Sequence, residues 1–453
     1  MSVKTIYLCS ECGAESRKWL GRCPSCGSWN TMMEEVEEKA PSAANAKAMP
    51  TASGSDATAL PDVRMEDFGR TGTGMAEFDR VLGGGVVQGS LVLIGGDPGI
   101  GKSTLLLQMA ENLANAGTDV LYVSGEESLR QIALRARRLG AASPRLKLLA
   151  ETNVERILFQ VEKSNPGAII IDSIQTMYRS GMTSSAGSVT QVRESAAAFM
   201  QAAKERGCPV FLVGHVTKAG ALAGPRVLEH MVDTVLSFEG DNMHAYRVLR
   251  AVKNRYGSTN EIGIFEMQES GMAEVSNPSE MLLSNRSNFA GSIVTASLEG
   301  TRPVLVELQA LVSATVFGTP RRMATGVDYN RMALLIAVLE KRAGLRFYDQ
   351  DAYLNVAGGL KLDEPAVDLG ITLALASGLR GRPLQDGVAV FGEVGLTGEV
   401  RPVGRAEVRL IECAKAGFTT VVLPGRNLRG TKIPEGVNVI GVATVAEALE
   451  LLS

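Results

Sequence analysis

The stretch GDPGIGKST, residues 96–104, sits between the apolar run LVLIG and the helical pattern KSTLLLQMAENLANAG. It fits G-x-x-x-x-G-K-[ST], a loop whose backbone N–H groups wrap phosphates at a helix N-terminus. Gly96, Gly99 and Gly101 free the backbone to wrap, with Asp97, Pro98 and Ile100 between them. Lys102 is placed to reach the β and γ oxygens, and Ser103, followed by Thr104, to ligate Mg²⁺. A loop of this kind needs a strand behind it and a helix ahead of it, so it demands an α/β fold.

The surrounding sequence meets that demand. From about residue 63 to 275, β-branched runs alternate with helical patterns: TDVLYVSG, then EESLRQIALRARRLG, then GAIIIDS and PVFLVGH. Nearly continuous apolar strands imply a parallel sheet covered on both faces. Asp172 ends the run AIIID, where a carboxylate can hold the metal's water shell opposite Ser103. Glu126 and Glu127 follow VLYVSG at the same sheet edge. Either can orient an attacking water as general base, with Glu126 the favoured candidate, and both also suit a helix N-terminus. His215 closes PVFLVGH, where it can sense a γ-phosphate or simply bond locally. In AVKNRYGSTNEIG, Lys253 and Arg255 lie two apart at a strand end and share a face, either to meet an anion or as a solvated tip.

Cys9, Cys12, Cys23 and Cys26 form C-x2-C-x10-C-x2-C, each pair followed by glycine. Two such turns aim four thiolates at one tetrahedral Zn²⁺; redox pairs would want a βα context that is missing here. The expected zinc finger spans 1–33, and metal binding would supply its folding energy. Residues 34–62, rich in Ala, Ser, Pro and charge, read as a linker. Cys208 and Cys413 stand in apolar surroundings and read as small packed hydrophobes.

A formal net charge of −3 over 453 residues excludes coating of nucleic acid by bulk charge, so any DNA contact is local. The N-terminus lacks a signal-peptide pattern and no apolar run reaches the ~18 residues of a membrane span, which predicts a cytoplasmic protein without a membrane partner. Residues 280–453 read as a separate α/β domain with a mixed sheet.

The phosphate loop, SGEES, IIIDS, VGHVTKAG and KNRYG, in this order, resemble the RecA/DnaB family of ring-forming ATPases. A four-cysteine finger in front and a Lon-like domain behind are similar to a bacterial DNA-repair branch of that family, whose KNRFG signature differs from KNRYG only at the aromatic. The fold so implied is a RecA-like P-loop ATPase core with a small N-terminal zinc ribbon and a C-terminal α/β Lon-protease-like domain. The resemblance implies ATP and ADP as ligands and a homo-oligomer, a hexameric ring. It further implies binding of single-stranded and branched DNA, and branch migration of recombination intermediates alongside the RecA recombinase. It also implies that Lys253 and Arg255 reach a neighbour's γ-phosphate. Candidate DNA loops are residues 178–193, with Arg179, and residues 216–226, with Lys218 and Arg226; ordinary surface loops would look the same.

In the Lon-like part, Asp368 takes the place of the family's serine and Glu407 that of its lysine, and two carboxylates cannot form a Ser–Lys couple. A displaced dyad from Ser377 and Lys415 is the alternative. Lys341, Arg342, Arg346, Arg380 and Arg382 are candidates for a duplex-binding surface. Against the leading expectation of a DNA-dependent ATPase stand an ATP-dependent protease and a nucleotide-switched interaction hub that does not translocate.

Overall fold

The structure, a computed structural model, describes residues 4–9, 15–25, 27, 29–37, 69–182, 184–214, 226–240, 246–283, 289–315 and 318–452. The chain divides into two compact units, Met1–Glu274 and Val275–Ser453.

The sheet of the first unit has nine strands, in the order 271–274, 262–268, 246–254, 234–239, 91–96, 210–213, 168–172, 120–124 and 146–150. The six strands from 234–239 onward run parallel. Residues of Leu91–Gly96, Val120–Ser124, Ala168–Asp172 and Val210–Val213 are all buried, as the continuous apolar runs require. Side chains alternate between two cores. Val92, Ile94, Ile170 and Phe211 join one with helices Ala76–Leu82 and Lys102–Asn115. Leu91, Leu93, Ile169 and Leu212 join the other with helices Val154–Ser164 and Val189–Arg206. Local signals start and stop these helices. Ser128 and Gln131 close a capping box on Leu129–Arg138, and Gly207 ends Val189–Arg206 in the left-handed region at φ 63°.

Contrary to the parallel sheet expected from the apolar runs, the sheet is mixed. Tyr246–Asn254, Ile262–Gln268 and Gly271–Glu274 continue it as an antiparallel meander. The turn at 255–261 is too short for the crossover a parallel neighbour needs, so the chain must reverse. The last of these strands returns to the helix that the phosphate loop opens: Gln108 accepts from the Met272 N–H at 2.8 Å and donates to its carbonyl at 3.2 Å.

At the N-terminus, Lys4–Cys9 pairs antiparallel with Glu15–Ser16 and with Met32–Glu37. The ribbon sheet therefore runs past residue 33 into the acidic stretch assigned to the linker. Composition registers charge there, whereas the backbone ladder to Lys4–Cys9 decides the structure.

The second unit holds a seven-stranded mixed sheet, in the order 322–325, 350–356, 302–314, 292–299, 388–390, 420–424 and 438–442. Helices Tyr329–Arg342 and Asp368–Arg380 pack into its larger core, and Ala406–Lys415 into a smaller one. No helix among the described residues is long and apolar enough to cross a membrane.

Candidate nucleotide site

The phosphate loop leaves Leu91–Gly96 and enters the helix at Lys102. Gly99 and Gly101 have φ of 79° and 114°, a backbone that L side chains rarely adopt, and a Cβ at Gly101 would fall 2.1 Å from the Met272 methyl. Lys102 is buried, and its ammonium donates to the Gly96 and Asp97 carbonyls at 2.7 and 2.9 Å. Burial pulls Lys102 below the ordinary lysine value, against the opposing attraction of Asp172, Asp97 and Glu126. Those three carboxylates are the anionic wall around the lysine.

Asp172 and Ser124 are paired across adjacent strands, and the Gly125 N–H donates to the Asp172 carbonyl at 2.9 Å, so both strand ends open at one edge. The Asp172 Oδ2 accepts from the Tyr122 hydroxyl at 2.6 Å. Burial, then the Asp172 charge, pushes Tyr122 well above its ordinary value, and it stays a donor.

Glu126, the favoured candidate base, and its neighbour Glu127 differ in surroundings. Glu127 is ion-paired to Arg135, and its N–H donates to Ser124 Oγ at 3.0 Å. Glu126 accepts from the hydroxyl of Ser173, the residue after Asp172, and acts electrostatically on Lys102. Glu126 belongs to the phosphate-loop cluster, while Glu127 is tied to the following helix. His215 and Lys218 lie outside the described residues, as do the side chain of Arg226 and Cys12 and Cys26.

Lys253 and Arg255 stand at the opposite end of the strands from the phosphate loop. Thr234 pairs with Val92 on one side and with Asn254 on the other, so Tyr246–Asn254 ends level with the start of the phosphate-loop strand. From Leu91 to Gly96 is about 16 Å at ~3.3 Å per residue. Lys253 donates to the carbonyls of Glu229, Val232 and His230 at 2.6, 2.8 and 3.4 Å, closing the C-terminal turn of helix Arg226–Met231. Arg255, half exposed, pairs with buried Asp233 at 3.1 Å, and Asp233 also takes the Leu91 N–H at 3.0 Å. The strand ends at Asn254 and carries an irregularity opposite Val235/Leu236, so the two cations are held by different partners rather than as a matched pair. Asn254 faces the other way, donating to the Leu82 carbonyl at 3.1 Å. Tyr256 is half buried.

In the loop before Val189–Arg206, Arg179 is ion-paired to Glu155 at 3.1 Å. In the second unit, Asp368 is buried at the start of its helix; Arg331 grips both its oxygens, Nη2 at 2.5 Å, and the Val394 N–H adds a third bond at 3.2 Å. Glu407 is exposed, as is Lys415. Buried Ser377 donates to the Arg382 carbonyl at 2.6 Å and accepts from Gly291 N–H at 2.8 Å, so its hydroxyl is committed to backbone. Lys341, Arg342, Arg346, Arg380 and Arg382 are exposed, and Arg380 donates to the Leu449 carbonyl at 3.1 Å. In the ribbon, Cys9 and Cys23, one from each CxxC pair, are both buried in one small cluster with Met32, and their thiolates are donors of the kind that Zn²⁺ takes.

Sequence reasoning missed Arg409. It is fully buried, paired with Glu364, donates to the Ala296 carbonyl at 2.6 Å and lies over the Phe391 ring at 5.6 Å. The signal was present: Ala406, Arg409, Leu410 and Cys413 fall on one helical face.

Three families match in this order along the chain: a rubredoxin metal binding domain at residues 7–34, an AAA domain at 56–221 and the Lon protease (S16) C-terminal proteolytic domain at 340–452. Over 450 residues the chain is 57% identical to the DNA repair protein RadA of Bacillus subtilis (strain 168), covering 98% of each. The chain belongs to the RadA family of DNA repair proteins. RadA of Halalkalibacterium halodurans is 57% identical over 449 residues (99% of this chain, 98% of that one), and RadA of Listeria monocytogenes is 55% identical over 449 (98% and 97%). The expected fold class holds: a RecA-like ATPase core between a zinc ribbon and a Lon-like domain. The ATPase domain implies a nucleotide with Mg²⁺, which the positive-φ loop and its carboxylate wall fit, and the ribbon implies Zn²⁺.

Proposed function

We propose that the chain is a DNA-dependent ATPase of recombinational repair, acting in the cytoplasm. It binds single-stranded DNA as a hexameric ring and drives branch migration of recombination intermediates alongside the RecA recombinase. Lys102 and the loop N–H groups hold the phosphates, Ser103 and Asp172 the Mg²⁺, and Glu126 orients the attacking water. Lys253 and Arg255 stabilise charge on a neighbour's γ-phosphate. The observation that carries this reading is their place at the end of the strands opposite their own phosphate loop. From there they serve a nucleotide only if it is bound by another subunit, which is what a head-to-tail ring supplies.

The Lon-like domain acts in this reading as a scaffold and not as a protease. An Arg–Asp pair occupies the serine's place, and neither member is a nucleophile activated by an amine. A second reading, the nucleotide-switched hub, is favoured by one observation: Arg179, in a candidate DNA loop, is already neutralised by Glu155.

The test is steady-state ATP hydrolysis, with and without single-stranded DNA, on wild type, Lys102→Ala, Arg255→Ala and an equal mixture of the two variants. Each variant alone should be nearly inactive. The mixture should recover up to about a quarter of wild-type turnover, because intact sites form wherever an Arg255→Ala chain meets a Lys102→Ala neighbour. Near-normal hydrolysis by Arg255→Ala would exclude the trans role, and turnover indifferent to DNA would favour the hub.

A further inference from the structure

Tyr122 sits in the middle of Val120–Ser124, its ring fully buried in the apolar core that also holds Ile170 and Phe211 of the parallel sheet. A phenol is an unusual choice for that position, because its hydroxyl must find a partner in a dry interior. The partner is one oxygen of one functional carboxylate, Asp172 Oδ2 at 2.6 Å. Register explains the reach: Tyr122 pairs with Ile170, two residues before Asp172 on the adjacent strand, so the phenol lies along the sheet toward the strand end. Asp172 itself is buried, and with Oδ2 engaged by the phenol, Oδ1 is the oxygen that would accept from the water shell of a metal.

We propose that Tyr122 is a positioning residue for the Mg²⁺-nucleotide complex: its hydroxyl fixes the rotation of the Asp172 carboxylate so that one oxygen faces the cation's waters. The inference rests on the reading of Asp172 given above. Outer partners of metal-side carboxylates act by holding their orientation, and losing one costs roughly 10–100-fold in affinity or activity. A tyrosine placed only to fill space would cost stability when changed and leave the metal dependence alone.

The experiment compares wild type, Tyr122→Phe, Asp172→Asn and the double variant, as full chains. Calorimetric titration with ADP is done with and without Mg²⁺, hydrolysis is followed across Mg²⁺ concentrations, and thermal unfolding is recorded in parallel. Tyr122→Phe should bind ADP in the absence of metal within about twofold of wild type. It should lose about tenfold of the Mg²⁺-dependent gain in affinity, need correspondingly more Mg²⁺ for half-maximal hydrolysis, and recover turnover in excess Mg²⁺. Added to Asp172→Asn, it should cost nothing further. If Tyr122→Phe keeps the wild-type Mg²⁺ dependence while Asp172→Asn loses it, Tyr122 only packs and the inference is overturned, even with a lowered melting temperature. If Asp172→Asn keeps the wild-type dependence, the reading of Asp172 itself has failed and the inference goes with it.

Discussion

Replacing Arg331 by Met should be among the most damaging single changes in the second unit. Asp368 is 1% exposed, and the guanidinium fork supplies two of its three hydrogen bonds. Removing one partner of a buried pair costs about 3–5 kcal/mol; with Arg331 31% exposed, the low end, about 3 kcal/mol, applies. In a unit the size of Val275–Ser453 that is a fall of about 6–12 °C in melting temperature. Differential scanning calorimetry on the full chain would read it.

The loss has a pH signature. Burial already holds Asp368 above the ordinary carboxylate value, against the pull of Arg331 and the Val394 N–H, and removing Arg331 raises it further. A carboxyl raised in the folded state contributes stability below its unfolded value, about 3.9, that is lost as pH rises through the folded value. The deficit of the variant should therefore be smaller at pH 5 than at pH 8. Arg331→Met with Asp368→Leu, which leaves no buried charge, should regain most of the loss. A single-variant deficit under about 1 kcal/mol, or one larger at pH 5, would mean that Arg331 does not neutralise a buried charge.

Glu126→Gln should keep nucleotide binding and lose about 10²–10⁴ in single-turnover hydrolysis, whereas Glu127→Gln, which only breaks a partly exposed pair with Arg135, should stay within a few-fold of wild type; the reverse ranking would reassign the base. Burial pushes the Cys208 and Cys413 thiols up to about 12. Iodoacetamide at pH 8 should leave both intact in the folded chain and label them on unfolding, read by peptide mass spectrometry. Because the folded values are raised, their contribution holds below the unfolded thiol value, about 8.5, and fades as pH climbs beyond it.

The parts of the site legible in the sequence were those built from neighbours along the chain. The phosphate loop needs a strand, three glycines and a helix start within one short stretch, and Asp172 declares itself by ending an unbroken apolar strand. The sequence favoured Glu126 over Glu127 without showing what surrounds either; the partners that set them apart, Ser173 and Arg135, lie on other elements. Strand direction was equally hidden: YRVLRAVKN reads as a strand whichever way it pairs, and only its register with Thr234–Glu239 puts Lys253 and Arg255 away from their own loop. Asp368 was expected at the family serine's place, but its partner Arg331 is 37 residues away and left no local mark.

The order of strands also sets a timetable for synthesis. The strand bearing the phosphate loop is made early, yet its two neighbours, 210–213 and 234–239, and the strand that clasps its helix, 271–274, all come later. At ~5–20 residues per second, a ribosome needs roughly 9–34 s to travel from Gly101 to Met272. Until residues 210–213 emerge, an apolar strand with both edges open waits on a growing chain, the kind of surface that recruits chaperones or other nascent chains. Nucleotide can therefore stabilise this unit only after most of it has been translated.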